Sequence, residues 1–200
     1  MSEDDRQRWN ARYASRADEA LGPPARFVEW LVGEGLVPAS GDVLDVAAGA
    51  GRNAIFLASR GLDVDAVDIS DAGLAIARSH AQRLGMGRRL NTRCLDLDAC
   101  SGDAGLGDNR YDLVVWVNYK NATISSAVNL ATRPGGHVAV ELAGHRNLRA
   151  HARPSARFLV DDDEIAGWFP DLETVWSSAS WVEGRYVVRF VGRKPDLRSL

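Results

Sequence analysis

Gly49-Ala50-Gly51 follows the apolar run Val43-Leu44-Asp45-Val46 and precedes Arg52-Asn53-Ala54, so a buried strand is expected to turn into a helix through Gly-x-Gly. Glycine at such a turn accepts a positive φ and lets a ligand approach the backbone closely. The next acid at a strand end is Asp68, nineteen residues beyond Gly49. That is near the ~20-residue spacing of a carboxylate that accepts hydrogen bonds from ribose hydroxyls. Loop and acid together point to an adenosine-containing ligand.

Two classes of enzyme use such a pair. Gly49 to Ala54 satisfies Gly-x-Gly-x-x-Gly/Ala, the fingerprint of nicotinamide dinucleotide binders, so an NAD(P)-dependent oxidoreductase is one reading. Asp45 argues the other way, because a carboxylate just before the loop repels a pyrophosphate and favours a cationic ligand. None of Tyr13, Tyr111, Tyr119 and Tyr186 has a lysine four residues on, which removes the usual proton donor of short-chain dehydrogenases.

The elements that must position these residues alternate along the chain. Apolar residues Phe27, Trp30, Leu31 and Val32 recur at helical spacing, with Pro23 and Pro24 suited to the opening turn and Gly33 to Gly35 to the end. A strand over 42–47 then leads into a helix over 52–60 closed by Gly61. A second strand ends at Asp68, and Ser70 is placed to cap a helix carrying Leu74, Ala77, Ala81 and Leu84 on one face. A third strand fits 90–95, and 98–109 reads as an irregular connection. A fourth strand covers 111–118, a helix 124–131, RPGG a turn, and HVAVELA a fifth strand. Such alternation calls for a parallel sheet with helices on both faces. The end breaks the rhythm: 172–182 and 185–193 read as a hairpin turning at Glu183-Gly184, unusual for a dinucleotide binder.

The 200 residues are 46% hydrophobic and 26% charged, which excludes collagen, coiled coil and disorder. Cys94 and Cys100 are too few for a disulfide framework, no pattern suggests a metal site, and both are expected to be small core residues. MSEDDRQRWN lacks the basic and apolar regions of a secretory signal, and no stretch is long and apolar enough to span a membrane, so the expected location is the cytoplasm. A net charge of −3 gives no global attraction to nucleic acid.

In order and spacing, these motifs resemble those of a class I S-adenosylmethionine-dependent methyltransferase over nearly the whole chain. VLDVAAGAGRN is similar to that family's first motif, AVDIS to its ribose-binding acid, CLDLD to its adenine-binding motif, YDLVVWVN to its fourth strand and RPGG to the turn before the fifth. WNARY, GAGRNAIFLASRGLDVDAVD and ARFLVDDDEI look most like the tellurite-resistance (TehB-type) and thiopurine methyltransferase group of small-molecule enzymes. Ala47 stands where glycine is usual. Asn118 is followed by Tyr119-Lys120-Asn121 rather than by the Pro-Pro element of amino-methylating nucleic-acid enzymes, which disfavours adenine methylation.

The resemblance implies a three-layer Rossmann-like α/β fold, a mostly parallel seven-stranded sheet with a C-terminal antiparallel hairpin, in one domain over 1–200. It implies S-adenosylmethionine as cofactor and S-adenosylhomocysteine as product. Gly49, Gly51, Ala47 and Asn53 would shape the methionine subsite, with Asp45 offering charge to its cationic groups. Asp68 would hold the ribose, Ile69 would cover one adenine face, Asp96 would bind the adenine amine, and the Leu97 backbone a ring nitrogen. Asn118 would lie beside the methionine portion. Trp9, Arg12 and Tyr13 would belong to a lid over 1–22, although aromatics at spacing four could equally staple a helix to the core.

Methyl transfer needs donor and acceptor in line and water excluded, and a catalytic base is optional. A thiol or chalcogen acceptor ionises near neutral pH and needs none. Acceptor-side candidates are Tyr119 and the acid-free stretch HRNLRAHARPSAR within a loop over 144–160. His145, Arg153 and Arg157 stand out there: the arginines are able to form a fork for an anionic metabolite, or the stretch is a solvated loop balanced by the Asp161 to Glu164 run that follows. His151 belongs to the same stretch, while His80 on a polar helix face and His137 inside a strand are expected to be structural. The expected partner is a small-molecule acceptor, with no nucleic acid and no membrane, for a monomer or homodimer. An RNA methyltransferase using the arginine loop as its footprint, or an idle cofactor-binding domain, are the remaining alternatives.

Overall fold

The computed structural model describes residues 3–16, 19–99, 105–150 and 153–196. Its sheet has seven strands in the order β3-β2-β1-β4-β5-β7-β6, formed by β1 (Asp42–Val46), β2 (Asp63–Asp68), β3 (Leu90–Cys94), β4 (Tyr111–Val117), β5 (Thr132–Ala143), β6 (Glu173–Val182) and β7 (Arg185–Arg193). β1 to β5 pair in parallel, and β7 runs antiparallel to both β5 and β6. The helices are α1 (Glu3–Ala14), α2 (Arg26–Gly33), α3 (Arg52–Ser59), α4 (Asp71–Arg83), α5 (Ser125–Ala131) and the short α6 (Glu164–Gly167).

Two apolar cores on the sheet's two faces explain why the central strands read as continuous apolar runs. Leu44, Val46, Val114, Trp116, Val138 and Phe190 fill one with α5, and Val43, Val64, Leu113, Val115 and Val191 fill the other with α2, α3 and α4. Strand order runs outward from β1 in both directions, so the carboxyl ends of β1 and β4 splay apart. Open α/β sheets place their ligands at this switch point.

Ser70 caps α4 as the sequence suggests, its Oγ accepting the Gly73 N–H at 3.0 Å. The hairpin turns at Glu183 and Gly184, both with positive φ of 48° and 77°, the pair a two-residue turn between twisted strands requires. Pro23 and Pro24 precede α2 rather than opening it.

RPGG is a correction. Arg133 to Gly136 lie inside β5 as a bulge: the pairing with β4 jumps from Thr132 to His137, Gly135 bends the strand at φ 79°, and Gly135 and Gly136 bond the Lys194 backbone instead. A Cβ on Gly136 would lie 2.9 Å from the Tyr111 carbonyl oxygen, so the second glycine is needed for close strand packing. Cys94 is a second correction: it is exposed at the end of edge strand β3, where no layer covers it. Cys100 and His151 lie outside the described residues.

Candidate functional site

The switch point opens into a cavity of about 530 Å³. Its floor is the loop after β1, where Ala47, Gly49 and Gly51 all have positive φ, of 55°, 58° and 80°. Ala47 thus adopts a left-handed conformation that the usual glycine takes without strain. Gly51 precedes α3 and faces α4 so tightly that a Cβ there would meet the Ala77 Cβ at 2.6 Å. Gly49 faces the other way, toward Tyr13 of α1.

Asp68 ends β2 beside this loop. Its Oδ2 accepts the Gly49 N–H and its Oδ1 the Ser70 N–H, both at 2.8 Å. Burial raises its pKa above the usual carboxylate range, while the backbone donors of Ser70, Gly49 and Ile69 pull the other way. Each carboxylate oxygen has two acceptor sites, so capacity for a ligand hydroxyl remains. Ile69, Leu95, Leu97 and Tyr119 give the cavity an apolar wall beyond Asp68.

α1 forms the roof. Asn10 Oδ1 accepts the Ser70 hydroxyl at 2.6 Å and ties α1 to the start of α4. Trp9 and Tyr13 stack with ring centroids 6.0 Å apart, and Arg12 lies over the Trp9 ring. Desolvation, reinforced by Asp68, pushes the Tyr13 phenol up to about 12. Trp9, Arg12, Tyr13 and Arg16 all face the cavity, as does Arg52 from the first turn of α3. Asn53 also lines it, and its Oδ1 accepts the N–H of Ala25, the residue before α2, at 2.8 Å.

Residues 43–136 match a family model described as a methyltransferase domain. The matched segment holds the loop after β1, Asp68 and β4, the elements that build the cavity. It is 33% identical over 101 residues to the ubiquinone biosynthesis O-methyltransferase of Acinetobacter baumannii (strain ACICU), covering 48% of this chain and 41% of that enzyme. The chain therefore matches less than half the length of that relative. Magnesium protoporphyrin IX methyltransferase from Synechocystis PCC 6803, crystallised with bound SAM, superposes with a TM-score of 0.68 at 20% identity, covering 96% of this chain and 95% of that one. TehB from Haemophilus influenzae gives 0.65 at 17% identity, covering 83% and 62%. These two likenesses establish the fold, mostly parallel with an antiparallel end.

The expected site residues divide. Trp9, Arg12, Tyr13, Ala47, Asn53, Asp68, Ile69, Leu97, Asn118 and Tyr119 line one cavity. Gly49 and Gly51 shape it from beneath. Asp45 lies outside the lining: it is 1% exposed, and desolvation pushes its carboxyl up to about 7 against a hydrogen bond from the Ala54 backbone. Its place is under the loop, at the start of α3, not beside a ligand. Asp96 flanks the lining residues Leu95 and Leu97, and its Oδ1 accepts the Asp98 N–H at 3.0 Å.

His145, Arg153 and Arg157 are not among the lining residues. The His145 N–H bonds the Val160 carbonyl and Gly144 bridges Val160, so the two ends of this loop are pinned together and its described arginines are exposed. Arg146 is paired with Asp162 at 2.7 Å, as the alternative of a solvated loop balanced by the acids that follow expects. Arg157 lies over the Phe158 ring.

His80 is a further correction. It is 8% exposed and lines the cavity from α4, not from a polar face, with burial and Arg83 lowering its pKa. Arg16, Arg52, Ile76, Leu95 and Val117 are lining residues that the motifs did not single out. Only Arg52 carried a sequence signal, its place directly after the second glycine of the loop. Among the described residues, no cluster of His, Cys, Asp or Glu could hold a metal ion, and no helix is long and apolar enough to cross a membrane.

Proposed function

We propose that the protein transfers a methyl group from S-adenosylmethionine to a small-molecule acceptor, a thiol, chalcogen or anionic metabolite. The observation that carries this reading is the pairing of Asp68 with the Gly49 backbone at the floor of a cavity that Tyr13 and Trp9 roof. The donor set fits the cofactor's parts. Asp68 would accept from the ribose hydroxyls, the apolar Ile69, Leu95 and Leu97 would hold the adenine with Asp96 beside them, and the guanidinium groups of Arg12, Arg16 and Arg52 would answer the carboxylate. A cavity of this volume is in the usual range for small-molecule sites.

S-adenosylmethionine supplies a sulfonium-activated methyl carbon, to which the acceptor's lone pair bonds as the sulfonium–carbon bond breaks, leaving S-adenosylhomocysteine. The protein's work is positional. Asp68 and the loop fix one end of the donor, Asn118 and Tyr119 limit the direction of attack at the carboxyl end of β4, and α1 excludes water. Holding reactants in line in this way can contribute roughly 7 to 11 kcal/mol. The Tyr119 hydroxyl bonds Asp98, which with burial raises its pKa, so it serves as a donor and wall and not as a base.

Calorimetry with S-adenosylhomocysteine tests the reading. Micromolar binding that Asp68→Ala weakens strongly is expected. No binding by the wild type, or equal binding by the variant, ends it, and stabilisation by NAD(H) instead would point to the oxidoreductase class.

A further inference from the structure

The cavity is positively biased, and a cation from a segment outside the methyltransferase motifs bonds one of its lining residues. Its lining holds Arg12, Arg16 and Arg52 against Glu19 and Asp68. A cofactor with a sulfonium, an ammonium and one carboxylate adds a further net positive charge. Asp68 is committed to the loop and the ribose, and Glu19 lies 3.8 Å from Arg16. The missing partner of this arrangement is an anion.

Arg185 opens β7 at the tip of the hairpin, past the last paired residues of β5. Arg185 is itself exposed and, like His145, Arg153 and Arg157, is not a lining residue; what ties it to the cavity is its Nη2, which donates at 3.2 Å to Oδ1 of Asn118, the lining residue that follows β4 with φ 61°. The acid next to it in the turn, Glu183, is paired with Arg26 at 2.5 Å, so it does not neutralise Arg185. Among the described residues no carboxylate pairs with Arg185, which leaves most of its five N–H donors for a ligand. Val117 and Tyr119, on either side of Asn118, give the cavity an apolar surface beside it.

We propose that Arg185 binds a carboxylate on the methyl acceptor, and that the substrate is a small, otherwise apolar molecule bearing that group. The planar guanidinium fork matches a carboxylate in two parallel hydrogen bonds, and Asn118 holds the fork at the cavity edge. This inference rests on the methyl-transfer reading above, and it moves the anion-binding role from the 145–157 stretch to the hairpin tip.

The test compares para-mercaptobenzoate with thiophenol, which share a reacting sulfur and differ in the carboxylate. Calorimetry with S-adenosylhomocysteine comes first, and its failure in the wild type sinks the methyl-transfer reading itself. With binding established, wild type should prefer the carboxylate probe in kcat/KM by about tenfold, the scale of a charge-assisted hydrogen bond at a partly exposed site. Arg185→Gln should abolish that preference chiefly through KM, Arg185→Lys should restore part of it, and both should bind S-adenosylhomocysteine like the wild type. An equal rate for the two probes in wild type, or an undiminished preference in Arg185→Gln, overturns the inference alone. If neither thiol is methylated, binding of para-mercaptobenzoate to the S-adenosylhomocysteine complex decides. Loss in Arg185→Gln supports the proposal, and no binding by wild type or retention in the variant overturns it.

Discussion

A Cβ added to Gly49 would lie 2.2 Å from the phenolic oxygen of Tyr13, so the roof helix rests directly on the glycine of the loop. The close approach that glycine permits here is used first by a side chain of the same protein. Gly49→Ala should displace Tyr13 and also strain a backbone at φ 58°, costing about 1 to 3 kcal/mol. Tyr13→Ala in the same background removes the clash but not the strain. Thermal melts of the two singles and the double should therefore show a smaller effect of Gly49→Ala when Tyr13 is absent. Additive effects would mean that Tyr13 does not rest on Gly49.

Ser70 links the roof to the ribose acid. Its hydroxyl accepts the Gly73 N–H, donates to Asn10, and its own N–H is held by Asp68. Ser70→Ala removes the α4 cap and the shorter bond to Asn10, leaving α1 the longer one from the Ala72 N–H at 3.4 Å and the Asp68 contact intact. The cap alone accounts for about 0.5 to 2 kcal/mol. Hydrogen exchange should further show faster opening of α1 than of α3 in the variant. Uniform opening of both would mean that α1 is held by its ring contacts.

The alternation of strands and helices and the Asp68 carboxylate were legible in the sequence because each depends on local pattern: apolar runs ending at small residues, and an acid at a strand end. RPGG was misread because turn chemistry is local while its fate in β5 depends on the register with Tyr111, a partner far away in the chain. Arg185 escaped notice for the same reason. Nothing in the spacing of Glu183-Gly184-Arg185 says that the hairpin tip reaches Asn118, whereas the 145–157 arginines drew attention by density alone. Asp45 shows the limit of charge reasoning, since its sign was right for a cationic ligand but burial beneath the loop removes it from the cavity.

Asp45 makes the fold sensitive to pH. Its carboxyl is held up to about 7 in the folded protein, against an ordinary value of 3.8, chiefly by desolvation and next by Asp68, with the Ala54 N–H and Arg52 opposing. Between those values the unfolded chain has lost the proton that the folded protein still binds, so stability falls as pH rises from about 4 and levels off above 7. The cost reaches a few kcal/mol, at ~1.4 kcal/mol per tenfold change in proton affinity. Asn at position 45 imitates the protonated acid and cannot ionise. Thermal melts across that range should decline less steeply for Asp45→Asn than for wild type, and the difference isolates Asp45 from Asp68, whose shift has the same sign. Parallel curves would place the ionisation elsewhere.

Glu141 and Arg189 sit directly opposite each other on β5 and β7 and form a bond of 2.6 Å, with side chains only 11% and 13% exposed. Arg189 also lies over the Phe27 ring at 5.4 Å, so the pair joins the hairpin to α2. Removing one partner strands the other charge in a poorly solvated place, which for buried pairs costs about 3 to 5 kcal/mol. Glu141→Leu and Arg189→Met alone should each lose most of that in urea unfolding. Together they replace two desolvated charges with apolar packing beside Phe27, and the double variant should be more stable than either single. A double variant weaker than both would show that the ion pair itself, beyond the avoidance of a stranded charge, holds the hairpin against β5.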